Sequence, residues 1–292
     1  MNPKVKSVLR NARKKYLEVS KKVSNKLKKK QPFIKKGRFG IKYFINPLSA
    51  LDDHIIQYGV IGDWLAVQTD RLVPENGIIF DIGANIGLLT TVFAKRYVPN
   101  GKVYAYEPDL QNVSQLKVNI DINHFNHVYI LPIALQSDPK CQQATLHIRR
   151  TIDGDGKENR GLSSLLELPV YEVEKQLVLS STLDKEVKRM GVNRIDFIKI
   201  DVEGAEYEVL AGGEKSITEF HPVIQYEYSN ELDKMMSTHN TADCFFFIKK
   251  LGYRQYALEN EKRLREMKKP NADMEDVNVI CFWGDTCPFL QK

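Results

Sequence analysis

The run Ile79-Phe80-Asp81-Ile82-Gly83-Ala84-Asn85-Ile86-Gly87 constrains the fold of this chain more than any other stretch. A short apolar strand ends in an acidic residue, a glycine turn follows, and the residues after Gly87 start a helix. Glycine lets backbone approach a ligand where a Cβ would collide, and the first turn of a helix presents unpaired N–H groups. Such a unit suits a nucleotide-type ligand. The same turn also serves packing alone, so its neighbours decide between the two readings.

Lys102-Val103-Tyr104-Ala105-Tyr106-Glu107 reads as a second strand whose acidic end stands twenty residues past Gly87, followed by Pro108 and a helical stretch from Leu110 to Ile122. In a doubly wound sheet a carboxylate at that strand end reaches the two ribose hydroxyls of an adenosine ligand, which assigns that part to Glu107. The glycine pattern is GxxxG. Asn85 stands where a dinucleotide fingerprint has its second glycine, so the room for a pyrophosphate is missing. S-adenosylmethionine has no phosphate, and the pattern therefore favours methyl transfer over nicotinamide chemistry. A third unit, Ile195-Asp196-Phe197-Ile198-Lys199-Ile200, continues into Asp201-Val202-Glu203-Gly204-Ala205-Glu206 and sets Asp201 and Glu203 at the same carboxyl edge. Glu203 and Glu206 also suit the positive end of the helix opening there, worth about 0.3–1 kcal/mol, which accounts for the helix but not for Asp201.

With Pro222-Val223-Ile224-Gln225-Tyr226-Glu227 added, the chain resembles the FkbM-type family of S-adenosylmethionine-dependent methyltransferases. The resemblance runs through the blocks around Asp81, Glu107-Pro108, Lys199–Glu206 and Pro222–Glu227, in family order, over roughly residues 55–230. It implies a class I, Rossmann-like α/β fold: a seven-stranded, mostly parallel sheet with helices on both faces and the last strand antiparallel. It also implies methyl transfer to oxygen on a small molecule or glycan, with the acceptor open. On this reading Asp81, Gly83, Asn85, Gly87 and Glu107 hold the donor. Ala134 and Leu135, at the exit of the third strand, face its adenine or simply fill the core. Ser163 and Ser164 match a serine-bearing stretch and are substrate candidates, or solvated loop hydroxyls. Asp201 holds donor or acceptor, and Glu203 or Glu227 takes the hydroxyl proton, with Glu206 a weaker candidate. No metal site is expected, although several of these carboxylates together offer a divalent cation its ligands. His221, before Pro222, reads as a turn residue.

At 292 residues, with 42% hydrophobic and 27% charged residues, one sizeable core with a small appendage is affordable. Strands are expected near 78–82, 102–107, 127–133, 195–200, 222–228, 253–258 and 277–283, with 259–276 an exposed connection. Residues 43–77 read as a helical cap and 78–292 as the methyltransferase domain. About sixty residues separate the third and fourth strands, so a substrate-side insertion is expected over about 150–180, with the polar, glycine-rich stretch from Thr151 to Ser164 as a lid. Asp153 and Asp155 faintly suggest a calcium loop, but Lys157 and Ser164 stand where oxygen ligands belong.

Charge divides the chain. Residues 1–42 hold 16 Lys or Arg against Glu18 alone, a net +15, and the remainder is −9. Val5, Leu9, Ala12, Tyr16, Val19, Val23 and Leu27 recur at three- and four-residue steps, so a helix there carries one thin apolar stripe on a basic cylinder. An anionic membrane surface, a solvated disordered arm and a nucleic-acid clamp all fit that pattern. No secretory signal or run of about 20 apolar residues is present, so a cytoplasmic enzyme is expected, peripheral at a membrane if the tail docks there. Cys141, Cys244, Cys281 and Cys287 lack metal-ligand spacing and read as reduced thiols. The functional classes are methylation of a sugar hydroxyl on a glycan or lipid-linked glycan, of a soluble metabolite, or of nucleic acid, and a non-catalytic scaffold. The last two are disfavoured by the lack of an Asn-Pro-Pro-Tyr-like block and by the intact acids. Assembly state is left open.

Overall fold

The computed structural model describes residues 31–47, 49, 52, 55–56, 72–149, 151–152, 158–159, 161, 163–167, 173–229, 241–259, 263–270 and 276–284. Most of the basic tail, most of the expected cap after residue 47 and the Asp153–Asp155 loop lie outside the described residues. The elements run β1 (Phe33–Lys36), β2 (Lys42–Ile45), β3 (Ile78–Ile82), α1 (Leu88–Val92), β4 (Lys102–Tyr106), α2 (Leu110–Asp121), β5 (Val128–Leu131), β6 (Ala134–Leu135), β7 (Gln143–Arg149), β8 (Thr151–Ile152), β9 (Glu158–Asn159) and β10 (Val173–Ser181). They continue as α3 (Leu183–Arg189), β11 (Phe197–Ile200), α4 (Glu206–Gly212), α5 (Glu214–Phe220), β12 (Val223–Tyr228), α6 (Thr241–Lys250), β13 (Tyr253–Glu259), β14 (Arg263–Met267) and β15 (Val277–Trp283).

The central sheet has the order β14-β13-β15-β12-β11-β3-β4-β5. β12, β11, β3, β4 and β5 are parallel neighbours, and β15 inserts antiparallel between β12 and β13. This is the expected doubly wound fold with its antiparallel last strand. An eighth strand joins the expected seven: β14 pairs antiparallel with β13 inside the stretch read as an exposed connection. Leu264 and Met267, three positions apart, fall on opposite faces of this edge strand, and each packs against one of the two cores.

Strand alternation builds a core on each face. Along β3 and β4, Ile79, Val103 and Ala105 face one cluster with Leu88, Phe93 and Leu116, while Phe80, Ile82, Tyr104 and Tyr106 face the other with Leu183, Leu210 and Phe245. Phe80 stacks on Tyr104 at 5.0 Å between ring centres. α2 starts at Asp109, whose carboxylate accepts from the Gln111 N–H at 2.9 Å.

Two local expectations change. Residues 43–45, read as the start of a helical cap, form β2, which pairs antiparallel with β1; Tyr43 and Ile45 are buried on one face, the period of a strand. Asp52, Ile55 and Ile56 are helical. The insertion between the third and fourth core strands carries a second sheet, β6-β10-β7, with β7 and β10 paired antiparallel over seven residues.

Candidate active site

Register fixes the site. Ile82 pairs with both Tyr106 and Ile200, and Ile200 pairs with Tyr226. Gly83, Glu107, Asp201 and Glu227 each come one residue later, so they stand side by side at the carboxyl edge. The chain runs outward from β3 through β4 to β5 and returns to β11 on the other side of β3, which opens a crevice where the strand order reverses.

Gly83 has φ +77°, and a Cβ there would lie 1.8 Å from the carbonyl oxygen of Asp201. The neighbouring β11 turn by itself requires glycine here, and Gly83 also lines the cavity that the sequence reading assigned to a ligand. The Gly83 and Ala84 N–H groups both donate to the Tyr106 carbonyl, at 3.0 and 2.9 Å. Asn85 is left-handed at φ +52°, a conformation asparagine tolerates better than most residues, and its N–H donates to Glu107 Oε2 at 2.8 Å. Glu107 Oε1 accepts from the Asp109 N–H at 2.9 Å. Burial pushes the Glu107 carboxyl up to about 7 even though these hydrogen bonds favour the charged form.

Behind the turn, Asp81 is fully buried. The Thr90 hydroxyl donates to its Oδ2 at 2.5 Å, and Lys199 Nζ lies 3.6 Å from its Oδ1. Lys199, directly paired with Asp81 across the strands, also donates to the Gly83 carbonyl at 2.8 Å and stands 3.3 Å from Asp201 Oδ2. Burial raises the Asp81 pKa, and the Lys199 charge opposes that rise. The sequence reading gave Lys199 no role. Its signal was a single cation inside the apolar run Phe197–Ile200, which has to find an anion when both faces of the strand are covered.

Asp201, Glu203 and Glu227 each present a carboxylate oxygen within 4.8 Å of the others, a spacing that would also suit a divalent cation. Burial lifts Glu203 well above the carboxylate range, with the charges of Asp201 and Glu227 adding to it and Arg149 opposing. Burial likewise lifts Glu227 to about 8, helped by Asp201. Glu203 itself is left-handed at φ +56°. Glu206 is buried separately: its Oε1 accepts from the Val202 and Gly204 N–H groups at 3.0 and 3.3 Å, which makes it the anchor of the turn that opens α4.

A cavity of about 310 Å³ joins these parts, at the small end of ligand pockets. Gly83, Asn85, Glu107, Asp201 and Glu203 line one side, and Ile133, Ala134 and Leu135 supply an apolar wall. Ser163 and Ser164 close another side, although the Ser164 hydroxyl accepts from the Leu166 N–H at 3.1 Å and its backbone bridges His147. Asp81, Gly87, Glu206 and Glu227 are not on this wall. Gly87 packs against Leu116, where a Cβ would meet the side chain at 2.3 Å. His221 caps α5 in a left-handed conformation and stacks on Trp283 at 3.8 Å, a turn role as expected.

The chemistry of the donor set fits S-adenosylmethionine. A buried carboxylate, Glu107, lines the cavity and could accept ribose hydroxyls, an apolar wall suits a flat base, and Lys199, the cation on the wall, is matched by Asp81 and Asp201. The model of the methyltransferase FkbM domain matches residues 81–255. Methyltransferase sdnD of Sordaria araneosa is 29% identical over 160 residues, covering 48% of this chain and 61% of that protein. The 2-O-methyltransferase NoeI of Sinorhizobium fredii is 27% identical over 171 residues, covering 55% of this chain and 66% of NoeI. The crystal structure of an FkbM methyltransferase from Methylobacillus flagellatus superposes with a TM-score of 0.45 at 16% identity, over 75% of this chain and 48% of that one. The chain thus spans less than two thirds of the length of each.

Proposed function

We infer the reaction from one premise: the chain belongs to the FkbM methyltransferase family. It is an S-adenosylmethionine-dependent methyltransferase. Our reading is that the acceptor is a hydroxyl oxygen, on a sugar of a glycan or lipid-linked glycan. The observation that carries this is the trio Asp201, Glu203 and Glu227 at the cavity margin, with Glu203 and Glu227 shifted toward the range where a carboxylate binds a proton near neutral pH. A neutral amine attacks with its own lone pair, whereas a hydroxyl has to lose a proton as it attacks. Closely set carboxylates also match the several hydroxyls of a sugar. The name of NoeI, a 2-O-methyltransferase, agrees with oxygen as the acceptor atom.

When bound, S-adenosylmethionine supplies a methyl group on a positively charged sulfur. The chain's residues do the rest. Glu107 accepts the ribose hydroxyls, the Gly83–Asn85 backbone lies along the donor, and Ala134 and Leu135 cover the base. Asp201 positions the acceptor hydroxyl, and Glu203 or Glu227 takes its proton, leaving the oxygen lone pair free to attack in line. Ser163 contacts the acceptor from the opposite wall. Asp81 and Lys199 act one layer back, holding the Gly83 and Asp201 turns in place.

Glu203→Gln and Glu227→Gln test the base. The true base, once lost, should lower kcat by about a hundredfold or more with donor affinity unchanged. Wild-type turnover in both variants would remove the assignment, and a loss of activity on dialysis against a chelator would hand the trio to a metal ion instead. Incubation of the enzyme with methyl-labelled donor and cell fractions tests the acceptor. Label in polysaccharide or lipid-linked glycan supports the reading, and label only in free metabolites or RNA refutes it.

A further inference from the structure

The β1–β2 hairpin presents a feature that the methyl-transfer site does not use. β1 is its outer strand, and both of its hydrophobic residues face solvent, Phe33 46% and Ile34 58% exposed. They are followed by Lys35, Lys36, Arg38 and Lys42, and residues 31–47 contain no acid. Lys36, Arg38 and Lys42 are exposed, and Lys35 donates to the Ile56 carbonyl at 2.5 Å. Arg38 and Arg96 both lie over the Phe39 ring, at 5.1 and 4.6 Å. Residues 1–30, immediately before, add twelve Lys or Arg and one acid.

We propose that this hairpin is a docking surface for an anionic phospholipid membrane. Two forces act on the same patch. The cations are drawn to the negative surface; Ile34 shares a face of the hairpin with Lys36 and Lys42, Phe33 projects from the other face of the same edge strand, and an edge-on hairpin takes both to the boundary between headgroups and acyl chains, where their exposed area leaves water. An exposed isoleucine beside the phenylalanine suits an acyl layer and offers a nucleic-acid base nothing to stack on. The rest of the chain, at −9, is repelled by the same surface, so only this end approaches.

The hairpin is tied firmly to the catalytic unit. The Lys42 N–H donates to Asn123 Oδ1 at 2.8 Å, the Asn123 amide donates back to the Lys42 carbonyl at 2.6 Å, and the Phe44 N–H donates to Asn119 Oδ1 at 2.7 Å. These bonds hold it to the C-terminal end of α2, the helix that begins just after Glu107, and the Asn119 amide there also donates to the carbonyl of Ile86, a residue of the cavity wall, at 2.8 Å. A docked hairpin therefore holds the cavity at a fixed reach above the headgroups. Nothing in this depends on which acceptor is methylated.

Co-sedimentation of the full chain with vesicles tests the proposal. The protein should pellet with vesicles holding about 30% phosphatidylserine, stay in solution with phosphatidylcholine alone, and leave the pellet as salt rises toward about 0.5 M. The double variant Phe33→Ser/Ile34→Ser and the triple variant Lys36→Glu/Arg38→Glu/Lys42→Glu should each weaken partitioning roughly tenfold or more. Unchanged thermal melting and donor binding in the same variants confirm that they are folded. Equal binding to both kinds of vesicle, or full binding by the hairpin variants, overturns the proposal. So does binding to single-stranded RNA that Phe33→Ser/Ile34→Ser leaves intact while no vesicle binding is seen.

Discussion

Lys199 is a buried cation beside a cavity whose ligand brings a positive charge of its own, and two carboxylates make that tolerable. Asp81 Oδ1 at 3.6 Å and Asp201 Oδ2 at 3.3 Å flank its ammonium, which is also spent on the Gly83 carbonyl. Lys199→Met leaves Asp81 as an uncompensated charge in the core. The expected cost is about 3–5 kcal/mol in urea unfolding. Because burial already favours the Asp81 acid form, the loss should be greater at pH 8 than at pH 5, where Asp81 escapes by taking up a proton. The double variant Asp81→Asn/Lys199→Met should recover part of it; a small loss that ignores pH would contradict the pairing. Gly83→Ala acts on the same turn from the other side. It places a methyl 1.8 Å from the Asp201 carbonyl in a left-handed backbone, and about 3 kcal/mol or more of stability should go with it, together with donor affinity.

Among the elements, α4 shows how an acid at a functional edge can be structural. Glu206 Oε1 holds the Val202 and Gly204 N–H groups, and burial raises its carboxyl to about 7. Glu206→Gln keeps an acceptor oxygen there and should retain most of kcat, whereas Glu206→Ala orphans two N–H groups and should cost about 2–4 kcal/mol in stability. A collapse of kcat in Glu206→Gln with unaltered melting would return this residue to the list of bases. The sequence could not separate Glu206 from Glu203, since both follow Asp201 within one turn; left-handed backbone at Glu203 and Gly204 turns them to different sides. The core strands were legible because alternation with acidic or glycine ends is a local property. The alternation of β7 is equally local, with Ala144, Leu146 and Ile148 between polar residues, but its partner β10 lies beyond the polar, glycine-rich stretch that follows it. β2 and β14 were misread for other reasons. β2 is short and rests on a partner distant in sequence, α2, whereas β14 follows β13 after three residues but sits in a charged stretch, with Leu264 and Met267 on opposite faces and so no period of two to read.

At the scale of the whole molecule, the fold keeps a row of carboxylates at one sheet edge that it would rather hold as acids, and this sets opposite pH dependences for stability and donor binding. Burial raises Glu107 and Glu206 to about 7 and Glu227 to about 8, and lifts Glu203 as well. In the unfolded chain such groups titrate near 4.3, give or take about a unit. Between that value and about 7 to 8 the folded state binds more protons than the unfolded one. Their contribution to stability is therefore fully present below about 4.3 and is lost as pH climbs through 7 and then 8. The ligand-free protein should melt about 5 °C or more higher at pH 6 than at pH 8.5. Donor binding should run the other way, because Glu107 has to be ionised to accept two ribose hydroxyls. The Kd for S-adenosylmethionine measured by calorimetry should tighten roughly tenfold from pH 6 to pH 8, and Glu107→Gln should flatten that slope while weakening binding throughout. A donor affinity that ignores pH in the wild type would mean that Glu107 serves only the Asn85 and Asp109 N–H groups it already holds, and that the ribose sits elsewhere in the cavity.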